Sequence, residues 1–142
     1  MKRLILSLLV AMAALNIDAQ CCSKDTQVMT NTDSMIVRIA ELEIHPEYIK
    51  EYLDAAAEIG GISVREEPGV ICIFPMQMKE DSTQVRIIEI YRSPSAYKSH
   101  LKTKHFLKYK TGTLHMVKSL KLPDMRPLDP KAMPEIFIKM NK

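Results

Sequence analysis

The amino-acid sequence predicts one α+β domain in which the elements follow in the order β-α-β-β-α-β. Three observations carry this prediction. Two runs of period-two alternation, VICIFPMQM and QVRIIEIYR, flank the polar stretch KEDST and read as a hairpin. On each side of the hairpin lies a segment of helical periodicity entered through a proline, Pro46 before it and Pro94 after it. About 120 residues remain once the N-terminal leader is set aside, the usual size of a single domain.

Residues 1–19 read as a secretory signal peptide. Lys2 and Arg3 precede the apolar run LILSLLVAMAAL, and Ala19 offers a small residue at the cleavage point. That run is too short to span a bilayer and no stop-transfer pattern follows, so export without stable membrane insertion is expected. Lipidation at Cys21 is the competing reading, but Gln20 and Asp18 stand where such a signal wants a small residue and a leucine. Residues 20–34 lack apolar periodicity and read as a flexible leader.

Order is expected from Met35, where MIVRIAELEI is rich in β-branched residues and long enough for a strand. Pro46 then starts a helix whose apolar positions Ile49, Tyr52, Leu53, Ala56 and Ile59 recur at helical spacing, with Gly60-Gly61 closing it. Glu67-Pro68-Gly69 marks a turn. In the next strand Val70, Cys72, Phe74 and Met76 share one face and Ile71 and Ile73 the other. In its hairpin partner Val85, Ile87, Glu89 and Tyr91 are opposed to Ile88 and Ile90. Ser93-Pro94 caps a helix through Ala96, Tyr97, His100 and Leu101, with helical pattern continuing to Val117. A short last strand, SLKL, covers 119–122. The domain is therefore set at 35–122, with 123–142 a proline-containing extension. This order is the split βαβ, or ferredoxin-like, unit.

An antiparallel sheet covered by helices on one side should be polar on the other. Here Ile71, Ile73, Ile88 and Ile90 make the second face apolar as well. The simplest cover is a second copy of the sheet, so a homodimer packed face to face is expected.

Composition excludes several classes. The formal charge of +3 falls to +2 without Lys2, Arg3 and Asp18, and no basic block with interleaved aromatics points to nucleic acid. Three cysteines, Cys21, Cys22 and Cys72, form neither a disulfide framework nor a CxxC site, and Cys72 reads as a small core residue. His100 and His105 are five residues apart, about 140° around one continuous helix, so they share a face only if the helix breaks. Thr103 offers such a break by capping a second helix. No nearby ligand completes an i,i+4 clip, so neither a metal nor another cofactor is expected.

The succession MIVRIAELEIHPEYIKEYL, SVREEPGVICI and RIIEIYRSPSAYKSHLKTKHF resembles the antibiotic biosynthesis monooxygenase family over residues 35–122. The Glu-Pro-Gly turn at 67–69, Glu89-x-Tyr91 and the segment from His100 to Phe106 carry the resemblance. It implies a dimeric α/β barrel built from ferredoxin-like units, and a cofactor-free monooxygenase acting on a small quinol or polyphenol. Such chemistry needs a base, partners for a developing anion and a dry apolar cavity. The resemblance implies His105 or His100 as base with Glu89 orienting it, and Arg65, Phe74, Tyr91, Phe106 and Tyr109 as substrate-binding residues. Tryptophan is absent, which sets the chain apart from the haem-degrading branch. A non-catalytic exported dimer binding an apolar small molecule, or an isomerase of the same superfamily, is the alternative.

Overall fold

Alternating burial along Ile36–Ile44 makes β1, with Ala40, Leu42 and Ile44 turned into the core. In this computed structural model residues 35–140 are described, so the expectations for the signal peptide, the leader, Cys21 and Cys22 lie outside the described residues. A 3₁₀ turn at Pro46–Tyr48 leads into α1 (Ile49–Glu66), whose buried stripe is Tyr52, Ala56, Ile59, Gly60 and Ser63. The sequence closes this helix at Gly60-Gly61, and there the structure differs. Neither glycine has the positive φ of a helix stop. A Cβ on Gly60 would meet the Ile73 carbonyl oxygen at 2.9 Å, so this glycine lets the helix lie close against the next strand. The helix ends instead before Pro68, which holds Glu67 in extended geometry.

β2 (Val70–Gln77) and β3 (Gln84–Tyr91) form the expected hairpin. The pairing shifts between Val70 and Cys72, an irregularity that resets the alternation. Val70 and Ile73 are consequently buried together under the helices, whereas Phe74 and Met76 are exposed on the other face. The period-two reading that grouped Val70 with Phe74 fails at this one-residue step. Cys72 sits half-buried beside Ile88, with its thiol 3.8 Å from that residue's carbonyl.

α2 (Pro94–His100) is capped by the Ser93 hydroxyl, which accepts from the Ala96 amide. α3 (Lys104–Thr113) is capped in the same way by Thr103, accepting from Phe106. A 3₁₀ turn at Leu114–Met116 leads to β4 (Val117–Lys121), so Val117 opens a strand rather than closing a helix. The sheet order is β2-β3-β1-β4, antiparallel throughout. This is the ferredoxin-like α+β fold, with an open four-stranded sheet in the single chain and the helices on one face.

The extension adds to this unit instead of leaving it. The Ile39 amide donates to the Pro123 carbonyl at 3.2 Å, and the Met125 amide donates to the Val37 carbonyl at 2.7 Å. Residues 123–125 therefore run along β1, and α4 (Met133–Met140) follows. Among the described residues no helix is long and apolar enough to cross a membrane.

Candidate active site between the sheet and the paired helices

A cavity of about 450 Å³ separates the helix-facing side of the sheet from α2 and α3. Pockets for small molecules occupy about 300–1,000 Å³, so this one can hold a single aromatic ring with substituents. Its floor comes from β1 and β3, where Arg38 lies opposite Glu89 and Ala40 opposite Ile87 in the strand register. Tyr97, His100, Phe106 and Tyr109 close it from the helix side, and Leu120 and Leu122 stand at the sheet edge.

His100 ends α2 and is 2 % exposed. Its ring packs between Phe106, with centroids 4.7 Å apart, and Tyr91, at 5.4 Å. Nδ1 of His100 lies 2.9 Å from Oε1 of Glu67, and Nε2 of His105 lies 2.6 Å from the same oxygen. The helix break at Thr103 makes this convergence possible, because it reorients the chain between the two histidines. Burial raises the Glu67 carboxyl, but the hydrogen bonds from His105 and His100 outweigh it and hold the group below its ordinary range. An ionised carboxylate only accepts, so both histidines donate. Nδ1 of neutral His100 is then the protonated nitrogen, and Nε2 is left as the basic one in a ring that borders the cavity.

Glu67, His100 and His105 place three donor atoms within 4.8 Å of one another, the grouping among the described residues that could take a metal ion. Ligands around a tetrahedral ion with bonds near 2.1 Å stand about 3.4 Å apart. The separations of 2.9 and 2.6 Å are those of hydrogen bonds, so the arrangement is a protonated clasp.

Glu89, expected to orient a histidine, instead accepts from the Tyr91 hydroxyl at 3.0 Å. Burial pushes its carboxyl above the ordinary range, against the smaller opposing effects of that hydrogen bond and of Arg38. Tyr91 rises too, first through burial and then through Glu89. Tyr109 borders the cavity with its hydroxyl 2.6 Å from that of Tyr52 on α1. The structure thus gathers His100, Glu89, Tyr91, Phe106 and Tyr109 around one space. His105 borders a separate, smaller cavity of about 170 Å³ beneath α1. Two of the expected substrate-binding residues lie elsewhere. Arg65 is on the exposed side of α1, and Phe74, shifted by the irregularity in β2, faces away from the helices.

Three participants escape the sequence reading. Glu67 stands in the Glu-Pro-Gly turn, but nothing local indicates that its carboxylate meets residues more than thirty positions away. Arg38 did leave a signal, as a lone cation in register with Ala40, Leu42 and Ile44 on the buried face of β1. Tyr97 lies under it, the Arg38 guanidinium carbon standing 4.6 Å from the ring centre.

Fold and site together define a class: an antiparallel α+β domain that holds an apolar cavity with a clasped, buried histidine. Residues 35–112 match the family model described as antibiotic biosynthesis monooxygenase, and the chain belongs to that family. A crystal structure from Bacteroides thetaiotaomicron, named as a candidate antibiotic biosynthesis monooxygenase, is 44 % identical. It superposes with a TM-score of 0.68 over 69 % of this chain and 93 % of its own. A candidate antibiotic biosynthesis monooxygenase from Nitrosomonas europaea shares the fold at 21 % identity and a TM-score of 0.64, over 68 % of this chain and 93 % of its own. One from Caulobacter crescentus does so at 18 % identity and 0.63, over 68 % and 92 %. No curated protein matches the chain.

Proposed function

We propose that this member of the family is a cofactor-independent monooxygenase of a small quinol. The observation that carries the reading is the tautomer of His100: Glu67 accepts the hydrogen bond from its Nδ1–H and leaves Nε2 as the basic nitrogen of a ring that lines an apolar cavity. A quinol hydroxyl held against Nε2 gives up its proton, and the resulting phenolate is electron-rich enough to reduce oxygen. Quinol and dioxygen then yield a hydroxyquinone and water, one oxygen atom in each product, with all electrons drawn from the substrate. The imidazolium formed on His100 is stabilised by the Glu67 carboxylate. Glu89 and the Tyr91 hydroxyl that donates to it lie on the cavity floor, as polar groups on the sheet side of the ring. The largely apolar walls lower the local dielectric, which strengthens each of these interactions.

Oxygen-electrode measurements with a panel of quinols test this reading. Uptake above a protein-free control that His100→Gln abolishes supports it. A ligand that raises the melting temperature while no member of the panel consumes oxygen would replace it with a binding protein.

The homodimer belongs to the same proposal. By register the outer face of the sheet carries Ile39, Ile88 and Ile90 beside the exposed Phe74 and Met76, an apolar surface that a second sheet would cover. Export through residues 1–19 is proposed as well, and a mature N-terminus near Gln20 on the secreted protein checks it.

A further inference from the structure

Arg38 is a cation set into the floor of the cavity with a side chain only 12 % exposed. An interior charge needs an opposite charge, and its cross-strand neighbour Glu89 does not supply one by contact, being bonded to Tyr91. The partner is Asp124, in the first residues of the extension. That contact is one-sided. One carboxylate oxygen serves both Nε at 3.1 Å and Nη2 at 2.8 Å, so the fork of the guanidinium is not matched by two oxygens. The backbone bridge between residues 38 and 124 holds Asp124 beside Arg38, but its carboxylate is 73 % exposed, so solvent screens that side of the pair.

The charged residues of the lining are mostly of the same sign. Lys110 and Lys118 border the cavity with Arg38, and Glu89 is its one acidic lining residue. Lys118 is tied to Glu43 at 2.6 Å, so Lys110 and Arg38 are the cations with charge to offer. From Arg38 a line of rings leads to the base: Tyr97 lies at 4.6 Å from the guanidinium, Tyr91 at 5.1 Å from Tyr97, and His100 at 5.4 Å from Tyr91. Arg38, Tyr97, Tyr91 and His100 all border the one cavity, so a flat ligand held there has a cation and an imidazole among its walls.

We propose that the substrate is an aromatic carboxylate, and that its carboxylate takes the place of Asp124 on the Arg38 guanidinium while its hydroxyl meets His100. Two oxygens on the guanidinium fork make a bidentate pair, which fixes the ring in direction as well as in place. Asp124 then acts as a stand-in that keeps the cation neutralised while the cavity is empty. The proposal rests on the quinol-oxygenase reading for the role of the hydroxyl, but the anion site stands on Arg38 alone.

Binding is measured by calorimetry under argon on the full chain, with para-hydroxybenzoate, which cannot form a quinone, against para-hydroxybenzamide. The acid is expected to bind about tenfold more tightly than the amide. Arg38→Met removes that preference and leaves amide binding within about twofold, Arg38→Lys keeps part of it, and Asp124→Asn strengthens acid binding by removing the competitor. Equal binding of acid and amide overturns the proposal, as does an unchanged preference in Arg38→Met. Should Arg38→Met not fold, an Asp124→Asn chain with no gain for the acid overturns it equally. Oxygen uptake with gentisate and with its methyl ester separates the two readings. Acid preference in binding without uptake from either compound leaves the anion site and ends the oxygenase reading. Uptake from both at equal efficiency does the reverse.

Discussion

Nε2 of His105 and Oε1 of Glu67 stand 2.6 Å apart, and that oxygen also receives Nδ1 of His100 at 2.9 Å. Three segments, the turn after α1, the end of α2 and the start of α3, are thereby tied at one atom. Replacing Glu67 by Gln removes a charged acceptor from a nearly buried position, which costs about 2 kcal/mol. The sign of its pH dependence follows from the lowered carboxyl. A depressed acid stabilises the fold above its unfolded value and loses that contribution as pH falls through the folded value. The gap in melting temperature between the wild type and Glu67→Gln is therefore widest above about pH 5 and closes on acidification. A gap that grows as pH falls would contradict this.

The two histidines share a carboxylate but border different cavities, and this separates their expected phenotypes. His100→Gln is expected to lower oxygen uptake with a quinol by about 10²–10⁴, the usual range for a lost general base. His105→Gln keeps a donor toward Glu67 and is expected to lose far less. Equal losses in kcat for the two variants would show that the clasp, and not the free nitrogen of His100, carries the effect.

Glu89 titrates in the opposite direction to Glu67. Its carboxyl is raised by burial, so ionisation opposes folding. A raised acid leaves stability intact below its unfolded pKa and erodes it as pH climbs toward the folded value. Glu89→Gln, which still offers an acceptor to Tyr91, is expected to gain on the wild type as pH rises above the ordinary carboxylate range. Denaturant midpoints measured as a function of pH check it, and a difference that does not vary with pH would refute it.

Gly60 tests the packing of α1. Alanine in a helix interior is favoured over glycine by about 1 kcal/mol. Here the added carbon would meet the Ile73 carbonyl oxygen at 2.9 Å, and that atom belongs to a paired strand and cannot swing aside. Overpacking of this kind costs about 1–3 kcal/mol, so Gly60→Ala is expected to be destabilising on balance. At Gly112, where nothing lies within 4 Å, the same substitution should stabilise by about 1 kcal/mol. Chemical denaturation of the two variants gives both signs.

Phe74 tests the dimer. It is 55 % exposed on the outer face of the sheet. Phe74→Glu places a charge where a second sheet is proposed to pack, and light scattering should then report a monomer in place of a dimer. A wild-type chain that is itself monomeric would end that proposal.

Much of this protein was legible in its sequence because the deciding forces are local or periodic. Alternation gave the strands, Pro46, Ser93-Pro94 and Thr103 gave the helix starts, and the second apolar face of the sheet followed from Ile88 and Ile90. What the sequence left open turns on distance in space. Gly60-Gly61 looked like a helix stop, because the near approach of β2 that makes Gly60 a packing residue arises only when strand and helix meet. The resemblance puts Phe74 in the pocket, but a one-residue irregularity beside Cys72 turns it to the other face without changing composition. His100 and His105 were visible as a pair, but their partner is Glu67 and not Glu89, a choice made by where α1 ends against α2 and α3. Side-chain periodicity fixes which way each residue faces on its own element. Only the packing of elements decides which carboxylate stands within hydrogen-bond reach of a given imidazole.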